Sequence, residues 1–467
     1  MVYSSGLVVR VVGVILLDGA PVVSLEEYVE RGGGVALGIA VESGPDRVLD
    51  ELESSGLRGR GGAGFSTALK WRSIVAGGAE VGERFVVANG AEGEPGTFKD
   101  RALLRHNPYL LLEGLLVAAR TVGARRVFVA LKSSFEFEAD VVALAAAEMA
   151  AAGWADDVQI ELVRGPDEYL FGEEKALLEV IEGEEPLPRL FPPYLYGLFT
   201  TNPQVGWSAG RTLTGVGPDG SNPTLVNNVE TLSTVPAIVA NGGEWYRGFG
   251  TPESPGTMVC TVSGDTVRHG VGEFELGTPV ATVIAELGGG MLDGRAIKYV
   301  LSGISNPVLR GELIDTPLTY EHMEAVGAGL GTGGFIVYDD RTDPAELAHA
   351  VSRFLGVESC GQCSACKLGC QAITELLSGL DNVTEGAVYG DISARLASVT
   401  DASRCFLPSQ EQRVVTSLLS DMRDPESRRP ERGLELTKIV DLVGDRFVLD
   451  DTQSRKRPDW TYEPKVR

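Results

Sequence analysis

Cys360, Cys363 and Cys366 form a C-x2-C-x2-C run, and Cys405 follows on a later segment. Three thiolates at that spacing wrap one side of a metal centre, and a remote fourth completes it. Two kinds of centre suit such a set, an iron–sulfur cluster and a structural zinc. Zinc sites usually come as two paired knuckles or include histidine. No histidine lies between Cys360 and Cys405, the four of the chain being His106, His269, His322 and His349. The run therefore reads as a cluster site, with zinc as the alternative. Cys370 adds a C-x3-C step like that of ferredoxins, whose fourth cysteine serves a second cluster. Here Gln371 stands where that run has proline and no second trio exists, so Cys370 reads as a buried thiol on the following helix. Cys260 sits in an expected strand and reads as core.

A second set of residues suits a phosphate. Gly59-Arg-Gly-Gly-Ala-Gly-Phe65 offers backbone N–H groups without side chains in the way, and Lys70 adds a point charge. A helix beginning after Phe65 would turn its positive end towards the same anion. The alternative is a plain surface turn, since this is neither a Walker loop nor a G-x-G-x-x-G placed after a strand. Two polar loops follow. Asn89-Gly-Ala-Glu-Gly-Glu94 and Tyr169-x-x-Gly172-Glu-Glu174 each set paired acids beside glycine. Such acids accept from ribose hydroxyls or a carboxamide, or serve as ordinary charges at a helix start.

These residues need elements to hold them. Arg84–Ala88 and Arg126–Leu131 read as buried strands, and residues 102–122 and 138–152 as helices, an alternation that predicts an α/β layer with a largely parallel sheet. The acidic loop after Ala88 then falls at the carboxyl end of a strand, where ligands bind in open α/β sheets. Residues 198–223 read as a long Gly/Pro/Asn-rich loop. From about Gly256 the texture becomes short strands (258–262, 272–276, 298–301) around a helix over 280–287, opened by Pro279 in its first turn. Apolar spacing over 345–355, 367–379, 387–399 and 408–422 predicts a helical bundle carrying the cysteines. The last residues read as a surface tail.

Composition limits the partners. The 467 residues carry 41 Lys and Arg against 65 Asp and Glu, a net charge of −24, which excludes a nucleic-acid face. Within residues 58–105, however, Arg58, Arg60, Lys70, Arg72, Arg84, Lys99, Arg101 and Arg105 outnumber Glu80, Glu83, Glu92, Glu94 and Asp100. That local excess suits an anionic cofactor. No apolar run is long enough to span a membrane, no secretory leader is legible, and six cysteines make no disulfide scaffold. The expectation is a cytoplasmic protein, attached to a membrane only through a complex.

Together and in this order the motifs resemble the NADH-binding flavoprotein subunit of respiratory complex I (the 51-kDa type) and related NAD-linked hydrogenase and formate dehydrogenase diaphorases. The matching strings are Gly56-Leu-Arg-Gly-Arg-Gly-Gly-Ala-Gly-Phe65 with Leu69-Lys-Trp71, Glu92 to Arg101, Gly172-Glu-Glu174, Asn227-Asn-Val-Glu-Thr-Leu232, Leu330-Gly-Thr-Gly-Gly334 and Glu358 to Cys366. The resemblance implies an FMN- and NADH-binding α/β domain over 1–240 and a ubiquitin-like (SLBB, β-grasp) α+β module over 241–338. It further implies a helical 4Fe-4S domain over 339–430 and a tail over 431–467. It places FMN on Gly61, Gly62, Gly64, Lys70, Asn89, Glu92, Tyr169, Gly172, Glu173, Glu174, Asn227 and Asn228. NAD(H) falls on Phe65, Glu94 and Glu174, and the cluster on Cys360, Cys363, Cys366 and Cys405. No side chain is implied as a nucleophile or general base, since the cofactors carry the redox chemistry. Electrons would pass from NADH through FMN to the cluster and on to a thioredoxin-like 2Fe-2S subunit or another acceptor protein. Ala91, Phe171, Ser73, Lys175 and an insertion before Pro223 depart from the family's pattern. Two alternatives stay open: a divergent FMN and iron–sulfur relay with altered or lost NADH binding, and a structural subunit of a redox assembly.

Overall fold

The computed structural model describes residues 15–76, 82–200, 221–380 and 386–428, together with the backbone of short paired strands near both ends. Most of the 199–222 insertion (201–220) and the end of the tail (451–467) lie outside the described residues.

The first sheet is wholly parallel. It contains β1 (Phe85–Gly90), β2 (Arg126–Lys132), β3 (Gln159–Gly165) and β4 (Thr224–Asn228), in the order β3-β2-β1-β4. Parallel strands are covered on both faces, and the alternation of side chains divides β1 and β2 accordingly. Val86, Ala88, Val127 and Val129 join the main core, formed with α1 (Val35–Ser55), α4 (Pro108–Val122) and α7 (Val229–Asn241). Phe85, Val87, Phe128 and Ala130 face the other way, onto Phe171, Leu198 and α6 (Glu174–Ile181). The register sets Ala88 beside Asn227 and Asn89 beside Asn228, so three asparagines lie at the carboxyl ends of neighbouring strands.

The expected helix over 102–122 is two. α3 (Lys99–His106) ends before Asn107, whose backbone (φ −155°, ψ 85°) is turned out of the helical region before Pro108. The Asn107 side chain then caps α4 by accepting from Leu110 N at 3.1 Å. The helix α2 (Thr67–Val75) starts after Ser66, which caps it, and α5 (Glu136–Ala151) lies close to its expected span.

The second sheet comprises β5 (Thr257–Gly264), β6 (Gly270–Glu275), β7 (Ile297–Ser302), β8 (Leu309–Arg310) and β9 (Gly334–Asp339), in the order β8-β7-β9-β5-β6. β9 is a strand beyond those expected, and it lies in the middle of the sheet, parallel to β5 and antiparallel to β7. α8 (Val280–Gly288) packs on β5 and β6, and Pro279 is its cap residue, one position outside the first turn. Four further helices, α9 (Pro344–Glu358), α10 (Ser364–Ser378), α11 (Gly386–Ser398) and α12 (Leu407–Met422), pack on one another around a single apolar core that also takes in Tyr299 and Tyr338. No described helix is long and apolar enough to cross a membrane.

Candidate functional site

The glycine loop is a closed turn. Gly59 N donates to Phe65 O at 2.8 Å, Thr67 N to Leu57 O at 3.0 Å, and Arg58 Nε to Gly64 O at 2.6 Å. Between these ties the amides of Gly61, Gly62, Ala63 and Gly64 find no acceptor among the described residues. A run of unpaired N–H groups is what an anion requires. The loop leans on other parts of the chain, with Gly61 close to Asn228, Gly62 to Thr332 and Gly64 to the Tyr320 ring. Phe65, at the end of the turn, is 57% exposed, a large aromatic face left open.

The charge expected from residues 58–105 is mostly spent internally. Arg60 is buried, donates to Thr257 O, Arg58 O and the Tyr246 and Tyr320 hydroxyls, and pairs with Glu230 at 3.9 Å. Lys99 is buried between Asp100 (2.7 Å), Glu230 (2.8 Å) and Asn228 Oδ1 (3.0 Å). Arg72 pairs with Asp50 and Glu53, and Arg105 with Glu138. Lys70 stays accessible and meets Glu174 at 2.7 Å, both being partly exposed.

Several residues assigned to cofactor contact already serve the protein. Asn89 donates to Gly172 O at 2.8 Å and accepts from Ala91 N at 3.2 Å, tying the two acidic loops together. Asn227 Oδ1 accepts the Trp71 indole N–H at 2.8 Å. Asn228 caps α7 through Glu230 N and donates to Asp100. Glu92 accepts the amides of Asp100 and Arg101 at the start of α3 and pairs with Arg101 Nε at 3.2 Å. Burial and the nearby Asp100 carboxylate push its pKa up. Glu94 accepts from the Tyr169 hydroxyl (2.7 Å), Ile304 N (2.7 Å) and the Ser305 hydroxyl (3.0 Å). Glu173 is the cap of α6, accepting from Lys175 N and Ala176 N, and burial raises it to about 7. Of the paired acids, Glu174 keeps an exposed carboxylate. Gly172 retains space, since a Cβ there would meet only Ala91 O at 3.8 Å.

Tyr169 packs on Phe354 of the bundle with centroids 5.3 Å apart, and its amide donates to Glu358. The bundle thus abuts the α/β loops. The thiols of Cys360, Cys363, Cys366 and Cys405 are free and act on one another electrostatically. Arg404 N donates to Cys363, and Ser359 Oγ lies 3.3 Å from Cys366 Sγ. Burial, then Glu173, raises the Cys405 thiol. Among the described residues no three His, Cys, Asp or Glu side chains close on one point as a single metal ion requires. An iron–sulfur cluster makes no such demand, because each cysteine takes a different iron. The donor chemistry, four thiols with no imidazole or carboxylate among them, fits a cluster better than zinc. Cys370 lies on α10 after Cys366 and is fully buried, and its nearby thiol draws the Cys366 thiol down to about 7. Cys260 is buried in β5.

The buried pairs around Arg60, Lys99 and Glu230, and the contacts from Ser305 and Gln410, are not foreseen from the sequence. Arg60, Lys99 and Glu230 lie inside the matched strings, whereas nothing marks Ser305 or Gln410, which reach the site from distant segments.

Comparison with known proteins bears on both regions. Residues 52–237 match the model described as the Nuo51 FMN-binding domain, and residues 346–428 that of the NADH-ubiquinone oxidoreductase-F iron-sulfur binding region. The NADH-quinone oxidoreductase-F 2 subunit of Rhizobium meliloti (strain 1021) is 33% identical over 369 residues, covering 76% of this chain and 82% of the relative. The NADH-quinone oxidoreductase-F subunit of Aquifex aeolicus (strain VF5) is 35% identical over 362 residues, covering 76% and 79%. Among solved structures, an NAD+-reducing NiFe hydrogenase in the H2-reduced state superposes with a TM-score of 0.72 at 32% identity, covering 91% of this chain and 69% of the hydrogenase chain.

Proposed function

The chain belongs to the NADH-quinone oxidoreductase-F family, and from that premise we propose that it takes electrons from NADH through FMN to a 4Fe-4S cluster and passes them to a partner protein. The observation that carries the reading is the run of unpaired amides at Gly61–Gly64 on the segment that holds the accessible Lys70. When bound, FMN supplies hydride acceptance and single-electron release, and the cluster takes electrons one at a time. The chain's own residues hold and orient. The glycine-loop amides and Lys70 receive the phosphate, in the manner of an anion nest. Asn89 fixes the Gly172 loop against the Glu92 loop, and Trp71 fixes Asn227, so the wall at the strand ends is set before any ligand arrives. Phe65, exposed at the rim, and Glu174, partly exposed and paired with Lys70, are the residues placed to meet the dinucleotide, with Glu94 behind them. Cys360, Cys363, Cys366 and Cys405 hold the cluster.

The same reading assigns the second sheet to a ubiquitin-like SLBB module and the four helices α9–α12 to the cluster-bearing bundle. The domains follow as 1–240, 241–338, 339–430 and 431–467. A partner is required, since the cluster has to discharge, and a thioredoxin-like 2Fe-2S subunit suits the role on the cytoplasmic side. Full-length protein purified anaerobically tests the core of this. It should release FMN on denaturation, contain iron and sulfide, and lose its flavin absorbance on adding NADH. A flavin bleached by dithionite and not by NADH would favour the divergent relay, and a colourless protein would leave only a structural role.

A further inference from the structure

Gln410 is a buried side chain with no part in the assignments above. It stands on α12, the helix that follows Cys405, and donates from Nε2 to the Tyr169 hydroxyl at 2.6 Å and the Ser305 hydroxyl at 2.8 Å. Both hydroxyls in turn donate to Glu94, Tyr169 to Oε2 and Ser305 to Oε1. The four side chains close a ring drawn from the strand-end loop, the segment before α6, the second sheet's β7 loop and the bundle.

The ring has a direction. A hydroxyl has one hydrogen to give, whereas a primary amide has two. Because the two Gln410 N–H groups point at the hydroxyl oxygens, both hydroxyl hydrogens are left for Glu94. Ile304 N adds a third donor at 2.7 Å. A neutral Glu94 would have to give a hydrogen to one of these groups, and each is already giving its own. Burial is the larger influence and raises the Glu94 pKa above its ordinary value, and the three donors oppose that rise. Among the described residues, Glu358 of α9 accepts the Tyr169 amide, and Lys132 at the end of β2 lies close to Gly93.

We propose that Gln410 is a positioning residue that keeps the Tyr169 and Ser305 hydroxyls aimed at Glu94, and so favours the ionised carboxylate against burial in the loop that receives flavin and dinucleotide. The proposal rests on the flavin reading for its consequence, but not for its geometry. It also gives the helix that follows the fourth cysteine a direct hydrogen-bonded link to the flavin loop.

The test uses the full-length, cofactor-loaded protein and the variants Gln410→Leu and Gln410→Glu. Glutamate is close to isosteric and puts acceptors where the donors stood. Difference infrared spectra at pH 7 should show in Q410L one carbonyl band of a neutral carboxylic acid additional to those of the wild type, which disappears again in Q410L/E94Q. In parallel, the rate of flavin reduction by NADH in both variants should fall about tenfold at the acid end and recover at the alkaline end, as an upward shift of one pH unit requires. Spectra and pH profiles that match the wild type at equal FMN and iron content would overturn the proposal. So would loss of FMN and cluster together in both variants, which would make Gln410 a general brace. If the infrared result holds while NADH fails to reduce the wild-type flavin, the ring stands and the functional reading falls.

Discussion

Glu273, which has no assigned cofactor role, accepts the amides of Ile15, Leu16 and Leu17 on one carboxylate oxygen and the Thr257 hydroxyl on the other. Desolvation outweighs those donors and lifts it from 4.5 to about 7. The folded state therefore keeps this proton over a range in which the unfolded chain has lost it. Its contribution to stability is fullest below pH 4.5 and declines as pH rises to about 7. The Glu273→Gln variant should thus gain about 3 kcal/mol on the wild type across that window, at 1.36 kcal/mol per unit. Urea unfolding at several pH values measures it, and a difference that does not change with pH would refute the assignment. Among the cysteines, Cys405→Ser should abolish the stable cluster signal, whereas Cys370→Ser should keep iron content near that of the wild type. Unchanged iron and EPR in the Cys405 variant would undo the ligand set. The cysteines are legible in the sequence because thiol spacing is itself the chemistry. The roles of Glu92 and Asn89 are not, because a carboxylate or amide is defined by its neighbours. Glu92 caps a helix that starts at Lys99, and Asn89 bonds to Gly172, a contact between segments far apart in sequence.

The glycine turn and the Gly172 loop separate two uses of glycine at the scale of the element. Gly64 has φ +60°, and a Cβ would come within 2.4 Å of the Tyr320 ring. Gly64→Ala should lower stability by about 1–3 kcal/mol and release FMN. Gly172 has no such strain and an open side. Gly172→Ala should leave the melting temperature almost unchanged while lowering FMN occupancy, seen as flavin fluorescence appearing in the filtrate. Full FMN retention there would exclude Gly172 from the pocket wall. Elements with long regular patterns are legible in the sequence, the four bundle helices among them. The break at Asn107–Pro108 is hidden because the apolar pattern runs on through it, although proline restricts the residue before it. β9 is hidden because the glycines of Leu330-Gly-Thr-Gly-Gly334 mark a loop and mask the apolar run after it.

For the molecule as a whole, the buried pairs join modules that the sequence presents as separate. Arg60 of the glycine turn reaches Thr257 O on β5 and the Tyr320 hydroxyl, and Glu230 accepts Val259 N at 2.8 Å while pairing with Lys99. Removing one partner strands a buried charge. Arg60→Ala should therefore cost about 3–5 kcal/mol in denaturant unfolding, where a loss under about 1 kcal/mol would show the pairing to be incidental. The same network explains why the charge count misleads. Residues 58–105 carry an excess of base, but Arg60, Lys99 and Arg101 are buried against carboxylates, two of which come from inside that segment and one, Glu230, from outside it. Lys70 and the unpaired amides are what remain for an anion. Whether this arrangement carries electrons from NADH to the cysteine-held centre is decided by anaerobic titration of the full-length protein with NADH, followed by low-temperature EPR. Flavin bleaching should appear together with the signal of a reduced 4Fe-4S cluster. An NADH-treated sample whose flavin stays oxidised and whose EPR spectrum shows no reduced cluster, although dithionite reduces both, would contradict it.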